Sequence, residues 1–233
     1  MNGIFITFEG TEGGGKSTQI QLLADRLRAL GRVVRVLREP GGTPIGEEIR
    51  HTLKHSEANH AMTPEAELLL MNASRAQLVR EVIRPALAAG EIVLCDRFYD
   101  STTAYQGYGR QLDLAMVQAM IDFAVGHTRP QLTLLLQVPL EVSEARRHSR
   151  QAGRLDGSPD PDPRGGHLQR PFGKPLRDRM EEADRAFFER VQRGFRSIAS
   201  AEPKRVRIID ATQDIETVRA SIWAFVGPVV AQG

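Results

Sequence analysis

The sequence is poor in features that would place it among disulfide-stabilised, membrane-spanning or strongly charged proteins. Its single cysteine, Cys95, cannot form an internal disulfide. No apolar run approaches the ~18 residues needed to span a bilayer. The formal net charge is only +2, which gives no general argument for a nucleic acid or an acidic membrane surface as a partner. The start lacks a basic stretch followed by an apolar core and a cleavage site, so we expect a cytoplasmic protein that binds neither nucleic acid nor membrane.

What the sequence does have is an alternation of short apolar runs and helical patterns. A hydrophobic content of 41% over 233 residues fits one sizeable domain. We predict five strands, at Ile4–Phe8, Val33–Leu37, Ile92–Cys95, Leu132–Val138 and Val206–Ile209. Short apolar strands that alternate with helices form a parallel sheet covered on both faces. The predicted fold class is therefore α/β, a doubly wound five-stranded parallel sheet with helices on both faces.

The longest predicted helix begins at Pro64 and ends near Ala89. Thr63 provides its N-cap, and Gly90 follows its end. The other predicted helices are Thr18–Leu30, Gly46–Lys54, Leu114–Val125, Leu140–Ser149, Arg177–Ala199 and Ile215–Phe225.

One segment, Gly153–Pro175, breaks this pattern, because it is too rich in glycine and proline for a helix or a central strand. Long loops of this kind are either functional or disordered. The segment is therefore either a mobile loop that moves charge relative to a phosphate site or a surface decoration without a role.

The most informative motif is GTEGGGKS, from Gly10 to Ser17. Its glycines let successive backbone N–H groups face one anionic centre, and the following helix adds its positive end. Lys16 would reach the β and γ phosphates, and Ser17 a magnesium ion. A predicted strand before the motif and a predicted helix after it favour this interpretation over a glycine-rich turn with a chance lysine. The sequence therefore predicts that the protein binds a nucleoside triphosphate.

Charged residues also follow the next two predicted strands, and the carboxyl ends of parallel strands are where ligands bind in open sheets. Asp96 can hold magnesium directly or through water, and Arg97 can bind a phosphate through two parallel hydrogen bonds. A surface ion pair is the less favoured alternative. Arg38 offers another cation at the start of REPGGT, Arg38–Thr43, where a plain structural turn is as well supported as a binding role.

Met71 and Arg75 lie four residues apart on the long predicted helix and therefore share one face. They could present an apolar surface and a hydrogen-bond donor to one ligand. Helical spacing alone favours another interpretation, with Met71 in the core and Arg75 in solvent.

Taken together, five motifs resemble those of thymidylate kinases, which transfer the γ-phosphoryl group of ATP to thymidine monophosphate (dTMP). The motifs are FEGTEGGGKST, REPGGT, SRAQ, DRFYDSTTAYQG and DRMEEADRAFFERVQRGF. The resemblance covers roughly residues 3–150 and 176–226. It implies a P-loop nucleoside triphosphate hydrolase fold, with a single kinase domain over residues 1–233 and a flexible lid insertion at about residues 151–176. It also implies ATP and Mg²⁺, and a homodimer.

On the donor side, the resemblance implies that Ser17 and Asp96 organise Mg²⁺. Lys16, Arg97 and a lid arginine are the implied catalytic residues. Positions 11 to 14 contain no arginine, so the lid must supply this cation. Arg150 aligns best with the family's lid arginine, with Arg146 and Arg154 as alternatives. The implied ATP-binding residues are Gly10, Thr11, Glu12, Gly13, Gly14, Gly15, Lys16, Ser17 and Thr18.

On the acceptor side, the resemblance implies that Arg97 bridges the two phosphates and that Arg75 hydrogen-bonds thymine. Tyr105 would pack beneath the sugar and disfavour a ribose 2′-hydroxyl, while Thr102 would face the base. Glu12 would meet the sugar 3′-hydroxyl. The implied substrate-binding residues are Glu12, Arg38, Met71, Arg75, Arg97, Thr102 and Tyr105.

The sequence departs from the family at Met71, where an aromatic ring usually stacks on thymine, and in the length of Gly153–Pro175, which exceeds the family's lid. A methionine still makes a polarizable contact with a ring, but shape selection is expected to be looser. The sequence therefore predicts a dTMP kinase in dTTP synthesis. The alternatives are a kinase for another deoxynucleoside or nucleoside monophosphate, and a nucleotide-dependent switch without an acceptor.

Overall fold

The computed structural model describes residues 3–155 and 184–232, which contain one five-stranded parallel sheet. The strands are β1 (Ile4–Glu9), β2 (Val34–Arg38), β3 (Ile92–Asp96), β4 (Leu132–Gln137) and β5 (Val206–Asp210). They lie in the order β2-β3-β1-β4-β5. The predicted fold class and all five predicted strands are confirmed.

The central strand β1 places the phosphate loop in the middle of the sheet. Every residue of β1 is buried, as expected for an apolar strand covered on both faces. Near its carboxyl end, Phe8 pairs with Asp96 of β3 and with Leu134 of β4. The loop after β1 therefore begins between the ends of two neighbouring strands.

The described helices cover both faces of the sheet and agree with most of the predicted bounds. They are α1 (Lys16–Ala29), α2 (Pro44–Lys54), α3 (Pro64–Leu78), α4 (Arg84–Ala88), α5 (Tyr99–Thr102), α6 (Leu114–Val125), α7 (Leu140–Leu155), α8 (Arg185–Ala201) and α9 (Ile215–Gln232). A 3₁₀ turn spans Glu57–Ala61, and π-helical turns span Val79–Ile83 and Thr103–Gly109. None of the described helices combines the length and apolar character that crossing a membrane requires.

Two differences from the predicted helices bear on the site. The predicted helix from Pro64 to Ala89 is a succession of α3, a π-helical turn and α4. The helical segment Tyr99–Gly109 was not predicted at all. Its polar and glycine-containing sequence lacks the apolar period of 3.6 residues on which a helix prediction depends.

Apolar side chains pack into three clusters. One lies between the sheet, α1 and α9, and another between the sheet, α3 and α6. The third packs Tyr105 of the unpredicted segment against Phe187, Val191 and Phe195 of α8. This third cluster holds the segment after β3 beside the carboxyl edge of the sheet.

The predicted lid insertion at about residues 151–176 falls mostly on residues 156–183, which lie outside the described residues. The same is true of the first part of the predicted helix Arg177–Ala199. The prediction of a single domain with a lid insertion therefore stays a prediction.

Candidate active site

The phosphate loop, Gly10–Ser17, is shaped by glycines in the left-handed region. Gly10 and Gly15 have φ angles of 124° and 81°. A side chain at Gly10 would overlap the carbonyl oxygen of Leu136. Directly after β1 the chain therefore passes too close to β4 for any residue larger than glycine. Gly15 is the N-cap of α1 and makes no side-chain cap, and nothing lies within 4 Å of where its Cβ would be. The first N–H groups of α1 therefore begin beside open space, as an anion-binding helix end requires.

The Lys16 side chain crosses the inside of this loop. Its ammonium donates to the carbonyl oxygens of Gly10 and Thr11, both at 3.0 Å. Burial, followed by the nearby charge of Arg97, lowers the pKa of Lys16 to about 8. The charges of Asp96, Glu12 and Glu9 oppose this shift, and a phosphate in the loop would add a further counter-charge.

Ser17 and Asp96 meet at the end of β3, where the Ser17 hydroxyl donates to Asp96 Oδ2 at 2.9 Å. The sequence predicted both as magnesium ligands, and Mg²⁺ binds through one or two protein oxygens together with water and substrate phosphates. The described residues contain no group of three or more His, Cys, Asp or Glu side chains that could hold a metal. This pair of oxygens fits a magnesium ion that is bound together with phosphates rather than by a protein cage.

Arg97 is directed at the phosphate loop. It adopts a left-handed conformation with φ 69°, and its Nη1 donates to the Gly10 carbonyl oxygen at 3.1 Å. Its Nη2 lies 4.0 Å from Glu12 Oε1, and its guanidinium lies 5.1 Å from the centre of the Tyr105 ring. The structure therefore brings together Glu12, Arg97 and Tyr105, three residues that the sequence predicted for the acceptor side.

Glu9, the last residue of β1, was not predicted as a site residue. It is fully buried, and its Oε1 accepts from the backbone N–H groups of Phe98 at 2.7 Å and Ser101 at 3.3 Å. Burial, followed by the charge of Asp100, raises the pKa of Glu9 to about 8. An acidic residue that ends an otherwise apolar strand was the available signal.

Arg75 is buried rather than solvated, so the interpretation from helical spacing alone is wrong for this residue. Its exposed fraction is 2%. Its Nη2 lies 2.7 Å from Oε2 of Glu39, and its Nη1 donates to Asn72 Oδ1 at 3.1 Å. Burial raises the pKa of Glu39, although Arg75 opposes the shift. Glu39 had no signal in the sequence beyond its place in the REPGGT turn.

The remaining predicted acceptor residues lie on α3, on the segment after β3 and at the end of β2. Thr102 and Tyr105 are buried on the segment after β3, and Met71 is half-buried one helical turn before Arg75. Arg38 Nη1 donates to Glu47 Oε1 at 3.0 Å, and Glu47 Oε1 also accepts from the Gly42 backbone N–H at 2.7 Å. These contacts give Arg38 a structural role in its own turn.

Helix α7, which leads into the predicted lid in the sequence, contacts the phosphate loop. The Ser143 hydroxyl donates to the Glu12 carbonyl oxygen at 2.6 Å. Arg146 Nη1 donates to the carbonyl oxygens of Gly13 at 3.1 Å and Ala211 at 3.2 Å. Ser143 was not predicted. Arg150 and Arg154 fall on the backbone of α7, but their side chains lie outside the described residues.

Comparison with known proteins agrees with this geometry. Residues 8–157 match the family model described as thymidylate kinase. The thymidylate kinase of Syntrophotalea carbinolica is 46% identical, with 94% of this chain and 93% of that protein covered. The thymidylate kinase of an Exiguobacterium species is 42% identical, with 100% and 98% covered.

A solved structure agrees as well. The crystal structure of thymidylate kinase from Ehrlichia chaffeensis superposes with a TM-score of 0.71 at 30% identity, and covers 97% of this chain and 99% of that chain. With matching motifs, fold and near-complete coverage, the chain belongs to the thymidylate kinase family.

Proposed function

We propose that this protein transfers the γ-phosphoryl group of ATP to dTMP, with Mg²⁺, and so produces dTDP in dTTP synthesis. Family membership supports the reaction type. The observation that carries the proposal is the position of Arg97, which reaches the phosphate loop at Gly10 while lying over Tyr105 and near Glu12. One cation is thus next to both the donor loop and the predicted sugar contacts.

On the donor side, we assign ATP binding to the phosphate loop and the residue after it, Gly10–Thr18. We assign its N–H groups and Lys16 to the phosphates, because a loop of this kind directs its donors at one anionic centre. Ser17 and Asp96 would hold Mg²⁺, which when bound neutralises charge on the phosphates.

On the acceptor side, we assign Arg97 to the dTMP phosphate and Glu12 to the sugar 3′-hydroxyl. Tyr105 packs beneath the sugar. Arg75, Thr102 and Met71 are assigned to the base, and the ion pair between Arg75 and Glu39 would hold the guanidinium rigidly for this contact. Arg38 is retained in the substrate-binding set as a prediction.

Phosphoryl transfer needs positioning and charge neutralisation more than a strong base, so we assign no catalytic base. We retain Arg150 as the lid arginine that stabilises the transferring group. Arg146, which contacts Gly13 of the loop, is the alternative supported by a described contact.

We further propose that the protein is a homodimer. Large apolar side chains on α3 and α6 stay exposed, at 57% for Leu69, 61% for Met116 and 81% for Phe123. Exposed apolar surface of this kind is typical of protein interfaces. The expected cytoplasmic location stays a prediction.

The decisive experiment measures magnesium-dependent ADP release from ATP with each deoxynucleoside monophosphate, each ribonucleoside monophosphate and thymidine offered separately. A strong preference for dTMP supports the proposal. Preference for a different monophosphate would keep the kinase and place the error at the base pocket, where Met71 replaces the usual aromatic ring. Slow hydrolysis that no acceptor stimulates would instead indicate a nucleotide-dependent switch.

A further inference from the structure

The buried carboxyl group of Glu9 has no part in the reaction proposed above. A carboxyl group without solvent contact is costly unless its hydrogen bonds are satisfied. One short segment satisfies the hydrogen-bonding capacity of Glu9. Its Oε1 accepts from the N–H groups of Phe98 and Ser101, and its Oε2 bonds to the Ser101 hydroxyl at 2.5 Å. All of these partners belong to the four residues that follow Arg97.

The Ser101 hydroxyl joins Glu9 to Arg97. Its oxygen accepts from Arg97 Nη1 at 3.0 Å while it bonds to Glu9 Oε2. A hydroxyl has one proton and two lone pairs. A lone pair therefore remains for Arg97 whether Ser101 donates to a Glu9 carboxylate or accepts from a protonated Glu9.

The Arg97 backbone also depends on Glu9. With φ 69°, Arg97 adopts a left-handed backbone conformation that residues other than glycine rarely occupy. The next N–H group along the chain, that of Phe98, donates to Glu9 Oε1 at 2.7 Å. Glu9 thus holds the backbone beside Arg97 directly and the Arg97 guanidinium through Ser101.

We propose that Glu9 and Ser101 are positioning residues that fix the Arg97 guanidinium for the acceptor phosphate. The inference rests on the proposed kinase function. Neither residue need touch the substrate, and each acts through the placement of Arg97. Because phosphoryl transfer depends on the positioning of cations, a guanidinium free to leave its site lowers turnover even when it remains charged.

A purely structural role makes a different prediction. Glu9 could simply satisfy N–H groups at the start of α5, and its loss would then lower stability and the fraction of active enzyme. Loss of a positioning contact instead lowers kcat per folded molecule, raises the KM for the acceptor, and leaves the Kd for ATP unchanged.

The test uses Ser101→Ala, which removes the hydroxyl and keeps the Glu9 contacts to backbone N–H groups. Loss of one hydrogen bond to a charged group corresponds to about a 10- to 100-fold fall in kcat. We expect that fall together with a higher KM for dTMP and an ATP Kd within about twofold of the wild type by titration calorimetry. Ser101→Thr, which keeps a hydroxyl, is the conservative variant expected to recover most of the activity.

A double-mutant cycle with Arg97→Ala decides whether Ser101 acts through Arg97. If it does, adding Ser101→Ala to Arg97→Ala changes the single-turnover rate by no more than about twofold. Glu9→Gln should retain activity, because its amide can still accept from Phe98 and donate to Ser101.

Three outcomes separate the hypotheses. Additive losses in the cycle, or an unchanged kcat in Ser101→Ala, would overturn the positioning role while leaving the kinase intact. A wild-type protein without dTMP-stimulated ADP release would overturn the proposed function and the positioning role with it. Both the proposed function and the positioning role are supported if Ser101→Ala lowers kcat without changing the Kd for ATP and has no further effect in the Arg97→Ala background.

Discussion

The two sides of the proposed active site are built in different ways. The donor side is one continuous segment, Gly10–Ser17, whose binding groups are mainly backbone N–H groups shaped by glycines. The acceptor side is made of side chains from separate parts of the chain. Its arginines, Arg75 and Arg97, are held by the carboxyl groups of Glu39 and, through Ser101, of Glu9.

This difference determines what a substitution does. On the proposed donor side, backbone N–H groups would bind the ligand, so we expect the sensitive positions to be glycines. On the acceptor side, buried charged groups depend on one another, so removing one member leaves its partner buried without a counter-charge. The four predictions below test this contrast, from the largest expected effect to the smallest.

Removing Arg97 should impair the acceptor side strongly while leaving the donor side intact. We expect Arg97→Ala to lower kcat by ~10³–10⁵, as loss of an essential arginine does in related phosphoryl-transfer enzymes. The Kd for ATP, measured by calorimetry, should change little because the donor loop is intact. Arg196→Ala, on the exposed face of α8, is the matched control and should keep wild-type turnover. Near-normal turnover of Arg97→Ala would contradict the assignment.

Arg75→Ala should destabilise the fold more than removal of an exposed arginine. Breaking a buried ion pair by removing one partner costs about 3–5 kcal/mol. The control is Arg35→Ala, since the Arg35 side chain is 45% exposed and pairs with Glu91 at 2.7 Å. An exposed pair of this kind contributes less than about 1 kcal/mol. Urea unfolding measures both, and equal losses would show that burial of the Arg75–Glu39 pair has no special energetic consequence.

Two glycines of the donor loop should differ in their tolerance of a methyl group. Gly10→Ala forces a clash with the Leu136 backbone and should lower both stability and ATP affinity. Gly15→Ala has open space and should cost only the strain of a left-handed residue, about 1–2 kcal/mol. Thermal unfolding of both variants, with and without ATP, tests whether Gly10→Ala is the more damaging change. A larger loss of stability in Gly15→Ala would contradict this prediction.

Per pH unit, titration of Glu9 should give the smallest of these changes in stability. Its pKa is about 8 in the folded protein against an ordinary value of 4.5, so between these pH values the folded state binds a proton that the unfolded state has released. Its contribution to stability is therefore complete below pH 4.5 and is lost as the pH rises through 8, by at most about 1.4 kcal/mol per pH unit.

Glu9→Gln removes this titration while keeping the polar contacts. Urea unfolding of both proteins between pH 5 and 8 should show a steeper decline for the wild type. Parallel pH profiles would mean that Glu9 is ionised throughout this range in the folded protein.

The sequence by itself determined the order of the strands along the chain, most of the helices and the phosphate loop. These features are local, because hydrophobic period, helix caps and glycine conformations depend on contiguous residues. The predicted helix Leu114–Val125 agrees with α6 at both ends. The polar end of the third strand already indicated Asp96 and Arg97, and resemblance to a family added Tyr105. The structure places Arg97 and Tyr105 together.

Only the tertiary structure decided which polar and charged groups meet. Glu39 and Arg75 are 36 residues apart in the sequence, and Glu9 and Ser101 are 92 apart. The helical segment Tyr99–Gly109, which carries Ser101 and Tyr105, was likewise not predicted from hydrophobic periodicity. It is held by packing against a few large rings of α8 rather than by an apolar stripe of its own. Contacts between distant residues form because the sheet brings the ends of different strands together. The pattern of residues within one segment carries no information about which other segment will lie beside it.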